Sequence, residues 1–268
     1  MKKTLGRLPA VFVSHGSPTV ALQDDAFTRD LSGFGKSELS SCRAIVVLSA
    51  HWASAGPVQV TSSKKSDVIY DFGGFPKALY DIPYPAPGSP DLAEQIVNLC
   101  VTGGIKAELN PSRGIDHGVW IPLLFMRPGA DVPVIQVSMP LLGSPRDVLK
   151  LGKVLSPLRD EGVLLIGSGG AVHNLAKLKW HAKEGAIEPW ALEFDTWVKR
   201  NLTGANIEAL LEFENVGPRV DLAHPTHEHF MPIFFTMGAS LSGDHVKFIH
   251  EGFQYASLSM LSFQLAPS

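Results

Sequence analysis

Cysteine is scarce in this chain of 268 residues, which contains only two, Cys42 and Cys100. They stand far apart and form no CxxC pair, so the sequence does not indicate a zinc ribbon, a redox motif or a disulfide framework. Reduced thiols are typical of proteins that work inside the cell. We therefore predict a cytoplasmic protein in which both thiols are free.

Long apolar runs and runs of positive charge are also lacking. No apolar stretch approaches the roughly 20 residues of a membrane-spanning helix. The apolar run from Pro9 to Val13 is too short for the core of a signal peptide. Lys and Arg never continue for more than two residues, as at Lys64 and Lys65, and the net charge is -3. We predict no membrane and no nucleic-acid partner, which leaves a small molecule as the expected partner; the oligomeric state stays open.

The common signatures of hydrolases and nucleotide-binding proteins are missing as well. The sequence contains neither HExxH nor GxSxG, which weakens protease and esterase interpretations. The GSGG segment at 167–170 lacks the spacing of a dinucleotide-binding loop. The DFG tripeptide at 71–73 stands without the other kinase motifs. Both segments are predicted to be plain turns.

Apolar residues, glycine and proline are what the chain has in quantity. Hydrophobic residues make up 45% of it and charged residues 18%, with 25 Gly and 20 Pro. This composition suits a large buried core joined by many tight turns. The length exceeds the usual domain of roughly 100–200 residues, but open α/β sheets often reach it as one unit. We predict a single domain over residues 1–268.

Short β-branched apolar runs alternate with segments of helical periodicity, which predicts an α/β fold with a mainly parallel central sheet between helical layers. The predicted strands are Ala10–Val13, Ala44–Leu48, Val132–Val137 and Val163–Ile166, with Val246–Phe253 and Leu258–Leu265 as final strands that could be antiparallel. The predicted helices are Asp24–Phe34, Ser89–Val101, Ser144–Arg159, Trp190–Leu202 and Thr226–Met237.

Histidines recur after the predicted strands. His15 follows the first strand, His51 the second, and His173 the strand that ends near Ile166, while His117 lies in a loop before a helix. Ligands of open α/β sheets collect at the carboxyl ends of the strands, so we expect these side chains to share one pocket. Small residues flank each histidine and leave room for an ion and a planar ligand.

A further group of histidines stands in the segment HPTHEHFMP, where His224, His227 and His229 lie close together. A single histidine is more often structural than a ligand, but the repeated placement favours a metal site. Imidazole suits zinc and iron, whereas magnesium and calcium prefer carboxylate oxygens that are scarce in these segments. The sequence therefore predicts a transition metal.

Taken together, the motifs resemble a known family, the class III extradiol ring-cleaving dioxygenases of the LigB superfamily, and within it the DODA-type group named for 4,5-DOPA dioxygenase. The resemblance runs over nearly the whole chain. It rests on SHGSP at 14–18, SAHW at 49–52, DFGGFP and LY within 71–80, YPAPGSP at 84–90, DHGVW at 116–120, GSGGAVHNL at 167–175, PTHEHFMP at 225–232 and SLSMLSF at 257–263.

The resemblance implies the role of each histidine. His15, His51 and His229 would hold the metal, and His173 would be the acid/base residue or a fourth ligand. His117 would be a second catalytic residue that lines the substrate pocket. His224 and His227 lie outside the family pattern and are predicted to be solvated residues at the entry of a helix.

The implied reaction is the opening of a catechol-type ring by O2 at non-haem Fe(II). Better-known members of the superfamily use a glutamate as third ligand, so His229 leaves Zn(II) open as the bound or replacing metal. A zinc-dependent hydrolase on the same fold is the alternative function, and a binding protein without turnover is a second alternative.

Overall fold

A mixed sheet of eight strands forms the centre of the computed structural model, which describes residues 6–183 and 185–267. The predicted domain range also includes residues 1–5, 184 and 268, which lie outside the described residues. The strands are β1 Ala10–Ser14, β2 Ala44–Ser54, β3 Val58–Thr61, β4 Ala107–Asn110, β5 Val134–Pro140, β6 Val163–Gly169, β7 Asp244–His250, β8 Phe253–Gln254, β9 Leu258–Ser259 and β10 Ser262–Pro267.

The strand order in the large sheet is β4-β3-β5-β2-β6-β1-β10-β7, and β8 pairs with β9 in a separate hairpin. The four central strands β5, β2, β6 and β1 are parallel to one another. β10 is antiparallel to both β1 and β7. The predicted fold class and the antiparallel pairing of the final strands are confirmed, but the predicted strand Leu258–Leu265 is divided between β9 and β10. β3 and β4 were not predicted.

Helices cover both faces of the sheet. They are α1 Ala26–Glu38, α2 Pro90–Thr102, α3 His117–Met126, α4 Pro145–Leu155, α5 Pro189–Thr203, α6 Ile207–Leu211, α7 Phe213–Val216, α8 Val220–Ala223 and α9 Pro232–Gly238, with 3-10 turns at Pro18–Leu22, Lys77–Asp81, Ser156–Glu161 and Leu175–Lys177. Among the described residues, no helix is both long and apolar enough to cross a membrane.

Alternate residues of the central strands enter two different hydrophobic cores. In β1, Ala10 and Phe12 belong to one core, whereas Val11 and Val13 belong to the other. A strand whose two faces are both covered needs apolar residues at every position, which is why these runs do not alternate with polar residues. Each core also includes helical side chains, such as Phe235 on one face and Trp120 on the other.

Local chemistry explains the bounds of the helices. The side chain of Ser89 accepts a hydrogen bond from Leu92 at the start of α2, and Ser144 caps α4 in the same way. The predicted helix Ser144–Arg159 was too long, because α4 ends at Leu155 and continues only as a 3-10 turn. Pro157 explains this, since proline lacks the N–H that α-helical bonding requires and restricts the residue before it.

Candidate metal centre

The parallel central strands bring their carboxyl ends to one edge of the sheet. His15 directly follows β1, and its backbone N–H donates a hydrogen bond of 3.0 Å to the carbonyl of Gly169 at the end of β6. His173 lies four residues beyond β6, after a turn. The arrangement of strands, rather than closeness in sequence, therefore places these two histidines near each other.

His51 lies inside β2 and not after it, which corrects the predicted end of that strand at Leu48. The pairing of β2 with β5 shifts register between Leu48 and Ala53, because the four residues 49–52 of β2 lie opposite the single residue Ser138 of β5. Irregularities of this kind change the direction of side chains and are frequent next to functional sites. His51 stands in the irregular stretch, and its side chain points towards that of His15.

His229 lies in a turn, which corrects the predicted helix Thr226–Met237, since α9 begins only at Pro232. The carbonyl of His229 accepts a hydrogen bond of 2.8 Å from the backbone N–H of Gly170. The N–H of Ile233, which would bond to this carbonyl in an α-helix, donates to Phe230 instead. Glycine makes this contact possible: a Cβ atom at Gly169 would lie 2.1 Å from the same carbonyl oxygen. The GSGG segment was predicted to be a turn, but its first three residues are the end of β6. This end of the strand is the surface on which the His229 turn packs.

The three predicted ligands come together at this edge. One ligand atom from each of His15, His51 and His229 lies within 4.8 Å of the other two. The Nε2 atoms of His15 and His51 are 3.0 Å apart. Two nitrogens bound to one ion at roughly 2.0–2.1 Å, with a bond angle near 90–110°, lie about 2.9–3.4 Å apart. The separation is the one that a shared metal ion requires.

Hydrogen bonds at the outer nitrogens leave Nε2 free to bind a metal. The Ser168 hydroxyl donates to the carbonyl of Gly118, so its oxygen accepts at 3.0 Å from Nδ1 of His15. Nδ1 of His229 lies 3.2 Å from a carboxylate oxygen of Glu228, which can only accept when ionised. Both rings therefore carry their proton on Nδ1 and a lone pair on Nε2. Partners of this type orient metal-binding histidines in proteins.

Burial keeps these imidazoles neutral. It lowers the pKa of His15 and His229 well below the ordinary value, and the neighbouring imidazoles lower it further. Burial also lowers the pKa of His51, to about 4. A neutral imidazole offers a lone pair to a cation, whereas a protonated one repels it. At neutral pH the donor set fits a transition metal ion.

His173 and His117 complete the cluster, the first beside His229 and the second beside His51. The ring of His173 stacks on that of His229, with centroids 3.5 Å apart, and burial lowers its pKa to about 4. The ring of His117, at the first position of α3, has its centroid 4.1 Å from that of His51. All five histidines that were predicted as site residues therefore lie in one cluster.

A family model described as the catalytic LigB subunit of aromatic ring-opening dioxygenase matches residues 9–266. The chain belongs to the LigB family. The resemblance to the class III extradiol dioxygenases of the DODA type is thereby confirmed, and LigB enzymes cleave aromatic rings with the help of a metal.

Individual relatives of this LigB-family chain cover nearly its whole length. It is 40% identical to a 4,5-DOPA dioxygenase extradiol of Escherichia coli (strain K12), over 97% of this chain and 95% of the relative. A Beta vulgaris protein of the same name is 39% identical over 94% of each chain. A crystal structure of an uncharacterized protein from Escherichia coli K12 has a TM-score of 0.82 and 36% identity, and the match covers 97% of this chain and 100% of that one.

Two features of the LigB site were missed from the sequence. Asp71, which was assigned to a plain turn, accepts a hydrogen bond of 2.9 Å from Nδ1 of His117. Burial raises the pKa of Asp71, but the hydrogen bond and charge of His117 outweigh it and lower the pKa to about 2. Beside them, the ring of Phe72 meets that of His117 edge to face at 5.6 Å. Further aromatic rings extend this wall: Tyr70, Phe75, Tyr80 and Trp120.

The two histidines outside the family pattern have different environments. His224 was predicted to be solvated but is only 1% exposed, because it packs against Phe194 and Phe230, and this burial lowers its pKa to about 3. Its Nε2 lies 2.9 Å from the carbonyl of Ala171, in the turn between β6 and His173. The side chain of His227 is 39% exposed and pairs with Glu214 on the surface.

Proposed function

We propose that this extradiol ring-cleaving dioxygenase acts on a small catechol-type substrate, DOPA-like or a related diol, and that His15, His51 and His229 hold its metal. The observation that carries the assignment is the convergence of three ligand nitrogens within 4.8 Å at the carboxyl ends of the central strands. The names of the similar proteins support a DOPA-like substrate. Residues 1–268 would form one catalytic domain.

We assign Fe(II) as the active metal. When bound, iron would supply positive charge that favours loss of the diol protons and a redox centre for electron transfer from the ring to O2. Zinc accepts the same nitrogen ligands but has no second accessible oxidation state, so zinc found in a purified sample would be a replacement.

We assign His173 to proton transfer. Its neutral ring, half-buried beside His229, can accept a proton from a substrate hydroxyl through a ring nitrogen and return it to the product. Because burial lowers the pKa of His173 to about 4, its ring is unprotonated at neutral pH and can act as a base.

We assign His117 to substrate orientation. Because Nδ1 of His117 is held by Asp71, Nε2 is the nitrogen left to hydrogen-bond the substrate or O2. The aromatic wall that begins at Phe72 supports this assignment, since aromatic side chains pack edge to face or offset against a substrate ring. His117 and Phe72 would thus fix the plane of the catechol.

The proposed function can be tested by measuring oxygen consumption by protein that has been loaded with one known metal. Metal-free protein would be loaded with Fe²⁺ under nitrogen and exposed to air with L-DOPA, protocatechuate or catechol, while O2 uptake and a new visible chromophore are followed. We expect iron-dependent uptake and a ring-opened product from at least one diol, and none from zinc-loaded protein. Ester hydrolysis by zinc-loaded protein without O2 uptake would instead indicate the hydrolase. The cytoplasmic location and the absence of nucleic-acid partners stay predictions.

A further inference from the structure

Asp71 contacts both the ring and the backbone of His117. Its Oδ1 accepts a hydrogen bond of 2.9 Å from Nδ1 of His117 and another of 3.0 Å from the backbone N–H of the same residue. That N–H belongs to the first turn of α3, where the side chain of Asp116 makes no capping bond. Asp71 therefore caps α3 from a different segment of the chain.

The other carboxylate oxygen faces a proposed metal ligand. Oδ2 of Asp71 lies 3.6 Å from Nδ1 of His51. The side chains of Asp71 and His51 are each 22% exposed, so solvent only partly screens the pair. Since Nε2 of His51 points to Nε2 of His15, its Nδ1 is the nitrogen that remains for Asp71.

Local pairing holds Asp71 in this position. Val68 forms a parallel bridge with Ile115, and the backbone N–H of Ile115 donates to the carbonyl of Asp67 at 2.8 Å. Gly114 permits this approach, since a Cβ there would lie 2.1 Å from the carbonyl oxygen of Asp67. The bridge aligns the segment before Asp71 with the segment before α3.

We propose that Asp71 is a positioning residue that sets the tautomer of two imidazoles at once, an inference that rests on the proposed function. Through Oδ1 it keeps the proton of His117 on Nδ1, and through Oδ2 it favours the same tautomer in His51. Nε2 of His51 is then free for the metal, and Nε2 of His117 is free for the substrate. One carboxylate thus orients both the metal side and the substrate side of the site.

The same three residues also satisfy the distance requirement of a metal site, because ligand atoms of His51, Asp71 and His117 lie within 4.8 Å of one another. The hydrogen bonds favour the positioning role. A backbone N–H can only donate, and it points at the same oxygen as the His117 ring. An oxygen that faces two N–H groups accepts hydrogen bonds from them and is therefore not the ligand of a cation.

The substitution Asp71→Asn separates the two functions of the carboxylate. A carboxylate accepts hydrogen bonds at both oxygens, whereas an amide accepts at one and donates at the other. The backbone N–H of His117 will hold the amide oxygen on its side, so the NH2 group will face Nδ1 of His51. That donor favours the His51 tautomer with its proton on Nε2, where the metal should bind. The side chain of Asp67 is exposed in the same segment, so Asp67→Asn is the matched control.

Iron affinity and imidazole tautomers test this inference without any turnover. Fe²⁺ would be titrated anaerobically against a competing chelator, and long-range ¹H–¹⁵N correlation spectra of the metal-free proteins would report the tautomers. We expect wild-type His117 to carry its proton on Nδ1. Asp71→Asn should bind Fe²⁺ about 10–100-fold more weakly, as is typical when a partner of a metal-binding histidine is changed. Asp67→Asn should bind as wild type does.

Each other outcome is decisive. Wild-type affinity and unchanged tautomers in Asp71→Asn would overturn the inference, as would two bound metal ions per chain or a wild-type His117 protonated on Nε2. The wild-type spectrum decides even if the variant fails to fold. If wild-type protein shows the expected tautomers and iron affinity but consumes no O2 with any diol, the proposed function fails while the positioning role of Asp71 stands.

Discussion

The rings of His173 and His229 lie face to face, with centroids 3.5 Å apart and planes inclined by only 4°. His173 follows β6, whereas His229 belongs to the turn before α9, so two distant segments meet in this stack. The backbone N–H of Gly170 also donates to the carbonyl of His229. Ring stacking and this hydrogen bond thus hold the proposed proton-transfer residue against a proposed metal ligand.

Replacement of His173 should separate turnover from metal binding. A positioned general acid or base contributes about 10²–10⁴-fold to a rate, so His173→Ala should lose ring cleavage by a factor of this order while it keeps most of its iron. His173→Gln should not restore activity, because an amide cannot exchange a proton near neutral pH. Iron content by elemental analysis and initial rates of O2 uptake measure the two effects.

Loss of iron in step with activity would show that His173 is a fourth ligand. The exposed His181 provides the His→Ala control.

His229 and His227 should differ sharply in their effect on metal content. His229→Ala removes a buried imidazole from the three-histidine cluster, so the protein should lose its iron after dialysis. His227→Ala removes a surface residue that pairs with Glu214 and should keep wild-type iron content. The reverse pattern would refute the ligand assignment.

Gly169→Ala should damage the site through packing. The added Cβ would lie 2.1 Å from the carbonyl of His229 and force the turn away from β6. Overpacking of this kind costs about 1–3 kcal/mol in the free energy of unfolding. Gly33→Ala is the control, because nothing lies within 4 Å of its added Cβ. Urea unfolding and Fe²⁺ titration should show a less stable, more weakly binding Gly169→Ala protein, and equal midpoints for Gly169→Ala and wild type would contradict the argument.

The ion pair of Arg159 and Asp244 should matter for stability and not for the chemistry. Both side chains are fully buried, and the guanidinium also donates to three backbone carbonyls, those of Leu8, Ala239 and Leu265. Removal of one partner from a buried pair typically costs about 3–5 kcal/mol, and the three carbonyls should keep Asp244→Ala near the lower value. Glu208→Ala breaks an exposed pair with Arg146 and should change the urea midpoint little. A normal midpoint in Asp244→Ala would refute this role.

Apolar runs predicted the centre of the molecule well. The four central parallel strands all coincide with β-branched runs, since burial on both faces leaves a continuous apolar signal. His15, His51 and His173 were identified because they follow such runs. The signal fails at the sheet edge, where β4 is only half-covered and its residues Glu108 and Leu109 are exposed.

Contacts between distant segments account for what the sequence did not reveal. Asp71 meets His117 across 46 positions, and the pairing of the segments around Val68 and Ile115 brings them together. The helical periodicity of Thr226–Met237 is real, but the hydrogen bond from Gly170 holds its first half in a turn. His224 is polar in a polar segment, and its burial depends on phenylalanines from other helices.

The position of β1 has a consequence for the synthesis of the protein in the cell. β1 leads directly into His15 and lies between β6 and β10. The ribosome completes β10 after every other described strand, so one edge of β1 stays open until residues 262–267 have emerged. Pairings between the two ends of a chain are among the slowest to form. The sheet next to His15 is therefore complete only after β10 has paired with β1.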